Sequence, residues 1–272
     1  MKTRTLVAAI AIPLLILLIF LAPLWAFAIA VGIISSAAAW EFLRCTDPSS
    51  PMRFRVYASV VAFAIPIGSA FLRGNTVLTT GLFLLCALMF TELMLSFRKE
   101  KPLSMEALLL VVFAGAIMPM LLSAMVRVGL RENSSVYLLL PFVAAFSSDS
   151  GAYFAGSFLG KHKAFPHLSP NKTVEGCIGG FVAAILIMLL YGLILLALGF
   201  EVNFLLLALY GLLGSLACQI GDLSFSAVKR LYGVKDYGHL IPGHGGMLDR
   251  FDSMHLTAPM LELLVLLAPA IS

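Results

Sequence analysis

LVAAIAIPLLILLIFLAPLWAFAIAVGIISSAAAW, residues 6–40, is a run of 35 residues without one charged side chain. A helix that crosses the hydrocarbon of a membrane takes about 20 mainly apolar residues. The run is therefore too long for a single crossing, and Pro23, near its middle, is a residue type that interrupts helices. We predict two membrane spans here, at 5–22 and 23–41.

The whole chain has the composition of a membrane protein. Of its 272 residues, 61% are hydrophobic and 12% are charged, whereas soluble domains carry about 25% charged residues. Because lipid offers the backbone no hydrogen-bond partner, the spanning segments are expected to be helices. Seven more apolar segments follow the first two: 56–73, 77–96, 106–126, 136–158, 177–199, 203–228 and 254–271. We predict an all-α integral membrane protein, a polytopic helical bundle of about nine transmembrane helices.

The basic residues predict the orientation. With nine spans and the N-terminus in the cytoplasm, 15 of the 18 Lys and Arg residues fall on the cytoplasmic side, and Arg73, Arg127 and Arg131 fall outside. This asymmetry is the one that the positive-inside rule describes. MKTRT and the apolar run after it also resemble a cleaved secretory signal, but the hydrophobicity continues through a second span. We expect a multi-pass protein of the cell (inner) membrane, and its sequence shows no nucleic-acid motif.

Polar features are distributed unevenly along the chain. Residues 1–140 consist of apolar spans with short loops and are predicted to be a scaffold. Residues 141–272 hold nearly every unusual polar residue and are predicted to be the catalytic region, with its loops in the cytoplasm. Because no linker or internal repeat separates the two parts, we expect one structural unit.

Two acidic residues fall inside predicted spans. Asp149 lies in the span 136–158, and Asp222 lies late in the span 203–228. A carboxylate is unfavourable at membrane depth, so each is a functional-site hypothesis, with a purely structural ion pair as the alternative. At about 100° per residue, Asp222, Ser226 and Lys229 share one stripe of a helix, and Arg230 follows.

The segment KRLYGVKDYGHLIPGHGGMLDRFD, residues 229–252, holds 7 charged residues in 24 positions. Asp249 and Asp252 are spaced i, i+3, and the glycine-rich turn around His244 can present successive backbone N–H groups to phosphate oxygens. Carboxylates bind Mg²⁺, and cations stabilise the charge on a departing phosphate. The segment therefore indicates metal-assisted phosphoryl chemistry. The histidine spacings of the chain fit no zinc site, and no P-loop motif is present.

A third polar segment, GKHKAFPHLSPNKTVEG, covers residues 160–176. Ser169, Lys172 and Thr173 give it hydroxyl groups and positive charge on the side of the membrane that also holds 229–252. The alternative is an ordinary polar connecting loop. Because the segment lies on the same side of the membrane as residues 229–252, we predict instead that it contacts phosphate or nucleotide.

These segments together resemble one known family. DSGAYFAG, GKHK, LSPNKTVEG and the run from Ser226 to Asp252 are similar, in this order, to the signature of the phosphatidate cytidylyltransferases, also called CDP-diacylglycerol synthases. The resemblance covers residues 149–252, with no departure at the motif positions; residues 1–140 share only their hydrophobicity with the family. It implies a reaction of CTP with phosphatidic acid that yields CDP-diacylglycerol and pyrophosphate and requires Mg²⁺, with a second metal ion as a further expectation.

The resemblance also implies roles for individual residues. Asp222 and Asp249 are expected to be the primary metal ligands, with Asp149 and Asp252 either as further ligands or as residues that orient the first pair. Cationic residues are expected to neutralise the charge of the phosphates. Hydroxyl groups, glycine N–H groups and one lysine are expected to contact the nucleotide or pyrophosphate. The cationic and remaining catalytic candidates are Lys229, Arg230, Lys235, Asp236, His244 and Arg250. The nucleotide-contact candidates are Ser169, Lys172, Thr173, Ser226, Gly243, Gly245 and Gly246.

Two rival functions remain open at the level of sequence. A CTP-dependent lipid-alcohol kinase of the polyprenol or phytol type needs similar groups but transfers the γ-phosphate of CTP. A cation-coupled transporter would use Asp149 and Asp222 as a relay, although such proteins often show inverted repeats. For a cytidylyltransferase, the expected partners are CTP, phosphatidic acid, the bilayer and a second copy in a homodimer, and the lipid is expected to arrive between late helices.

Overall fold

The computed structural model describes residues 13–71, 76–98, 102–240 and 245–271. Helix α1 includes residues 13–20 of this part of the chain. The remaining helices are α2 Leu24–Thr46, α3 Met52–Phe71, α4 Thr76–Ser96, α5 Met105–Val112, α6 Met118–Leu122, α7 Ala124–Val128, α8 Ser134–Leu159, α9 Val174–Ala197, α10 Phe204–Leu231, α11 Leu248–Phe251 and α12 Met254–Leu267. Strands β1 (Lys163–Phe165) and β2 (Ser169–Thr173) form an antiparallel hairpin between α8 and α9.

Within the described residues, seven helical segments are long and apolar enough to span a membrane, which confirms the predicted class of an all-α membrane protein. They are Leu24–Thr46, Met52–Phe71, Thr76–Ser96, Met105–Val128, Ser134–Leu159, Val174–Ala197 and Phe204–Leu231. The predicted first span, 5–22, lies partly outside the described residues, and the predicted last span, 254–271, is not among these seven. The last helix, α12, has 14 residues and is therefore about 21 Å long, shorter than a membrane core of about 30 Å. The count of nine and the cytoplasmic N-terminus stay predictions.

The chain forms two compact units. The first unit contains residues 1–130 and 232–251, and the second contains residues 131–231 and 252–272. The charged segment that follows α10 thus packs within the same unit as the N-terminal helices. The functional division at residue 140 stays a prediction, since compactness does not test which part is catalytic.

In the first unit, α2 and α3 pack against the span Met105–Val128, which is not a regular helix. Residues Phe113–Ile117 form a π-helical turn, and Pro119 follows at the start of α6. At this turn a Cβ added to Gly115 would lie 2.8 Å from the Cα of Ala58 in α3. The missing side chain therefore lets two backbones approach closely where the helix is widened.

In the second unit, α8 packs against α9 through small residues. A Cβ at Gly151 of α8 would lie 2.7 Å from the carbonyl oxygen of Gly179 in α9, and a Cβ at Gly179 would overlap the Cβ of Ala155. Helices that lack side chains at the contact can associate by close van der Waals packing, which is the usual means of association within lipid. This contact sets the position of α8, and hence of Asp149, against α9.

Replacing Gly179 with valine is expected to destabilise the protein by about 1–3 kcal/mol, because the new side chain overpacks the contact between α8 and α9. The measurement is thermal unfolding in detergent. Ile178→Val on the same helix is the control, because Ile178 is 57% exposed. Equal melting temperatures for the two variants would contradict the close contact.

Candidate active site

Helix α10 carries the predicted stripe of polar residues through its last turns. The hydroxyl of Ser226 donates a hydrogen bond to Oδ1 of Asp222, one helical turn earlier, at 3.4 Å. Lys229, the third member, is buried although it lies near the end of the helix. The spacing i, i+4, i+7 thus places a carboxylate, a hydroxyl and an ammonium group along one side of α10.

The hairpin supplies a cation to this stripe. Nζ of Lys172, on β2, lies 2.5 Å from Oδ2 of Asp222, and both side chains are partly exposed. Arg230 also contacts the hairpin, since its Nε donates to the carbonyl oxygen of Leu168 at 3.3 Å. Two residues predicted for different tasks, Lys172 for nucleotide and Asp222 for metal, therefore form an ion pair with each other.

The ends of the hairpin are fixed by its neighbours in sequence. Thr173 is the N-cap of α9, and its hydroxyl accepts a hydrogen bond from the N–H of Gly176 at 3.1 Å. Ser169 pairs with Phe165 across the hairpin. Glu175 accepts hydrogen bonds from the backbone N–H groups of 161 and 162. Thr173 therefore has a structural task, and nucleotide contact by Thr173 or Ser169 stays a prediction.

Within the second unit, two predicted metal ligands, Asp222 and Asp149, act electrostatically on a third, Asp252. Asp252 is 8% exposed; burial, and then the charge of Asp222, raises its pKa to about 7. The charge of Lys229 and the N–H of Ser253, at 2.8 Å, oppose this rise, and Asp149 adds to it. Asp149, Asp222, Asp252 and Lys229 thus form one electrostatic group.

A set of uncharged polar side chains behind this group was not identified from the sequence. The hydroxyls of Ser148 (α8) and Ser215 (α10) are 2.7 Å apart and buried. Gln219 donates to the hydroxyl of Ser215 at 3.3 Å and to the carbonyl oxygen of Cys177 at 3.1 Å. These bonds join α8, α9 and α10 beside Asp149. The only sequence signal was the presence of Ser and Gln inside otherwise apolar spans.

Asp249, the fourth predicted metal ligand, lies in the first unit and organises the charged segment there. Its Oδ2 accepts hydrogen bonds from the backbone N–H of Tyr237 at 2.9 Å and of Gly246 at 3.0 Å. Gly245, which precedes Gly246 in the chain, has a φ of +83°, which favours glycine. The glycine-rich turn therefore directs one N–H group to a carboxylate of the chain itself.

Glu41 is the residue of this region that sequence reasoning missed. It is buried near the C-terminal end of α2, and its two oxygens accept hydrogen bonds from the N–H groups of Met247 (3.0 Å) and Leu248 (2.9 Å). A Cβ at Gly238 or Gly246 would overlap its carboxylate. A lone acid at the end of the span 23–41 was the available signal, but nothing in the sequence paired it with residues more than 200 positions away.

The remaining candidates are exposed or lie outside the described residues. Lys235, Asp236 and Arg250 are exposed on the first unit. Gly243 and His244 lie outside the described part of the chain. Their roles stay predictions.

The acidic group of the second unit fits a divalent cation by its chemistry. Among the described residues, no three His, Cys, Asp or Glu side chains are arranged as a metal cage. Mg²⁺ is commonly bound by one or two carboxylates together with phosphate oxygens and water. The pKa of Asp252 is raised by burial and then by the charge of Asp222, and a bound cation would offset the second of these causes. Asp222, Asp252 and Asp149 therefore suit Mg²⁺, and its binding stays a prediction.

The sequence matches the Cytidylyltransferase family over residues 2–268. The chain belongs to this family. Among its relatives are proteins named phosphatidate cytidylyltransferase from Staphylococcus haemolyticus (strain JCSC1435), 42% identical over 136 residues, and from Staphylococcus aureus (strain COL), 43% identical over 136 residues. In both cases the matched stretch is 50% of this chain and 51% of the relative, so the chain spans about half the length of the relatives that it matches.

For this cytidylyltransferase-family protein, the pKa of Asp252 predicts a pH dependence of stability. Between the ordinary value of 3.8 and about 7, the folded protein holds a proton on Asp252 that the unfolded chain releases. The free energy of unfolding is therefore expected to fall as the pH rises through this window, by at most about 1.4 kcal/mol per pH unit. Melting temperatures of the metal-free protein and of Asp252→Asn, measured from pH 4 to pH 8, test this. The slope should be smaller in the variant; equal slopes would contradict it.

Glu41→Gln is expected to destabilise the first unit, because an amide nitrogen would face a backbone N–H and leave that donor without an acceptor. The expected loss is about 1–3 kcal/mol of unfolding free energy, measured by thermal unfolding in detergent. Glu92→Gln is the matched control, because Glu92 forms an ion pair with Arg53 that is partly exposed and is expected to contribute about 0–1 kcal/mol. A larger effect at Glu92 than at Glu41 would refute the assignment.

Proposed function

We propose that this protein is a phosphatidate cytidylyltransferase, which transfers CMP from CTP to phosphatidic acid and releases CDP-diacylglycerol and pyrophosphate. The observation that carries the proposal is the match to the Cytidylyltransferase family along nearly the whole chain. The names of the relatives supply the lipid substrate. Apolar helices that suit a membrane agree with a substrate that resides in the bilayer.

The charges of the second unit suit the binding of a nucleoside triphosphate. Lys172 and Asp222 form an ion pair that is only partly buried, so incoming phosphate oxygens can compete with the carboxylate for the ammonium group. If Lys172 bound phosphate instead of Asp222, the carboxylate of Asp222 would be available to bind a cation. Lys229, buried beside Asp252, is expected to remain in place and stabilise negative charge in a setting of low dielectric.

The chemical step follows from the substrates. An oxygen of the lipid phosphate forms a bond to the α-phosphorus of CTP, and the bond from that phosphorus to the bridging oxygen breaks, so pyrophosphate leaves with the electron pair. The attacking phosphate is already an anion and needs no strong general base. Lys172, Lys229 and Arg230 neutralise phosphate charge, and Ser226, which donates to Asp222, holds that carboxylate in position. A bound Mg²⁺ would supply further neutralisation of the triphosphate.

Asp249 is expected to act from the ordered segment of the first unit. This expectation comes from the family motif, in which only two residues separate Asp249 from Asp252 along the chain. The positive-inside asymmetry predicts that both face the cytoplasm, where CTP is found.

The product of the reaction tests the function. Purified protein is supplied with phosphatidic acid, Mg²⁺ and CTP labelled at either the α- or the γ-phosphorus. The α-label should appear in the lipid and the γ-label in pyrophosphate. Transfer of the γ-label to lipid would identify a kinase instead, and no transfer with either label would refute an enzyme of this class.

Asp222→Asn and Asp249→Asn are each expected to reduce kcat at least about 100-fold, the size of effect expected when a catalytic electrostatic contact is lost. Glu201→Gln is the control, because Glu201 is exposed in the connection between α9 and α10. All three variants should be recovered from membranes in equal amounts. Activity near that of the unaltered protein in either Asp variant would refute the role of that residue.

A further inference from the structure

The first unit contains a cavity whose lining, among the described residues, includes none of the predicted catalytic residues. Its volume is about 680 Å³, and it lies between α2, α3 and the segment 237–240. Ile33, Trp40 and Arg44 of α2 line one side, Phe63 of α3 lines another, and His239 and Leu240 close it from the charged segment. The cavity is therefore lined by early helices, whereas the sequence predicts that the lipid arrives between late helices.

The cavity runs along α2 from the end of the helix toward its middle. Arg44 lies in the last turn of α2, and Ile33 lies 11 residues earlier, a distance of about 16 Å along a helix. Half the thickness of a hydrocarbon core is about 15 Å. The cavity is thus as deep as one leaflet of a bilayer.

The chemistry of the lining changes along this length. Ile33 and Phe63, at the deep end, are 54% and 38% exposed, so the apolar end is open toward the region that lipid would occupy. Arg44 and His239, at the other end, are exposed; Arg44 carries a positive charge, and the ring nitrogens of His239 can hydrogen-bond to a phosphate. An apolar channel with a basic end is complementary to an anionic lipid, with an acyl chain inside and a phosphate at the surface.

Among the described lining residues the acid is Glu41, and its carboxylate is bonded to the charged segment. Both of its oxygens accept hydrogen bonds from the backbone N–H groups of Met247 and Leu248. These bonds stabilise the negative charge of Glu41 and so weaken its repulsion of an anionic headgroup beside Arg44.

The same wall connects the cavity to a predicted catalytic acid. Tyr237 lines the cavity, and its backbone N–H donates to Oδ2 of Asp249 at 2.9 Å. The Tyr237 ring also stacks on Phe42 of α2, with ring centroids 6.1 Å apart. An occupant of the cavity would therefore contact the segment that holds Asp249.

We propose that this cavity binds the lipid substrate, a diacylglycerol carrying a phosphomonoester, with the phosphate at Arg44 and His239 and one acyl chain between Ile33 and Phe63. The proposal rests on the proposed function for the identity of the lipid. The location of the lipid site does not depend on that function, because it follows from the shape and charge of the cavity.

Photocrosslinking locates the lipid directly. Full-length protein in detergent micelles is irradiated with phosphatidic acid that carries a diazirine on one acyl chain, without CTP, and the adducts are mapped by mass spectrometry. Adducts on α2 and α3, between residues 33 and 63, are expected. Adducts confined to residues 131–231 would overturn the proposal.

Ala37→Phe tests the cavity by filling it, since Ala37 lines it. The KM for phosphatidic acid is expected to rise at least about tenfold while the KM for CTP stays unchanged, because excluding even two methylene groups removes that much affinity. Val60→Phe is the control, because Val60 of α3 is 62% exposed and is not part of the lining. Equal effects of the two variants, or a rise in the KM for CTP alone, would overturn the proposal.

The variant Arg44→Gln distinguishes binding of the lipid headgroup from binding of the acyl chains. Binding of phosphatidic acid to this variant, measured by equilibrium dialysis, should weaken, whereas binding of diacylglycerol should not change. Glycerol 3-phosphate, which has the headgroup without the chains, should compete only weakly; strong competition would indicate a site for free phosphate esters and overturn the lipid assignment.

If the protein crosslinks lipid here but makes no CDP-diacylglycerol, the proposed function fails and the cavity stands. If it makes that product with adducts only elsewhere, the cavity fails alone.

Discussion

The order of the charged segment in the first unit depends on the hydrogen bonds that the carboxylate of Glu41 accepts. An ionised side chain is costly inside an apolar bundle unless its oxygens find donors. Glu41 finds them in the backbone N–H groups of Met247 and Leu248. The same bonds fix the residues just before Asp249, which in turn accepts from Tyr237 and Gly246. Two acids thus order a segment that is poor in regular secondary structure, and one of the two is a predicted metal ligand.

The second unit solves the problem of polar groups in an apolar bundle differently. Its acids are offset by side-chain cations, with Lys172 on Asp222 and Lys229 near Asp252. Close glycine contacts between α8 and α9, and the hydroxyl pair of Ser148 and Ser215, hold the helices that carry these acids. A site balanced by cations can exchange a carboxylate for a phosphate with little change in structure, which suits a nucleotide transferase.

Sequence reasoning was most successful where the chemistry is local. The spacing of Asp222 and Ser226 predicted a shared helix face, and the hydrogen bond between them agrees. The capping of α9 by Thr173 is also local, but it was interpreted as a nucleotide contact because a hydroxyl in a basic loop fits both roles. The sequence does not predict the ion pair of Lys172 with Asp222, because the two residues lie on different elements, 50 positions apart.

The sequence by itself determined the class of the protein, because the lack of hydrogen-bond partners in lipid leaves few structures open to a chain this apolar. It also determined which residue types could handle phosphate and metal, and its motifs indicated the family. Only the tertiary structure decided that the segment 232–251 packs with the N-terminal helices, that Glu41 holds it, and that a cavity forms along α2. Those features arise from contacts between residues as many as 207 positions apart, and neither periodicity nor spacing along a chain carries information about such pairs.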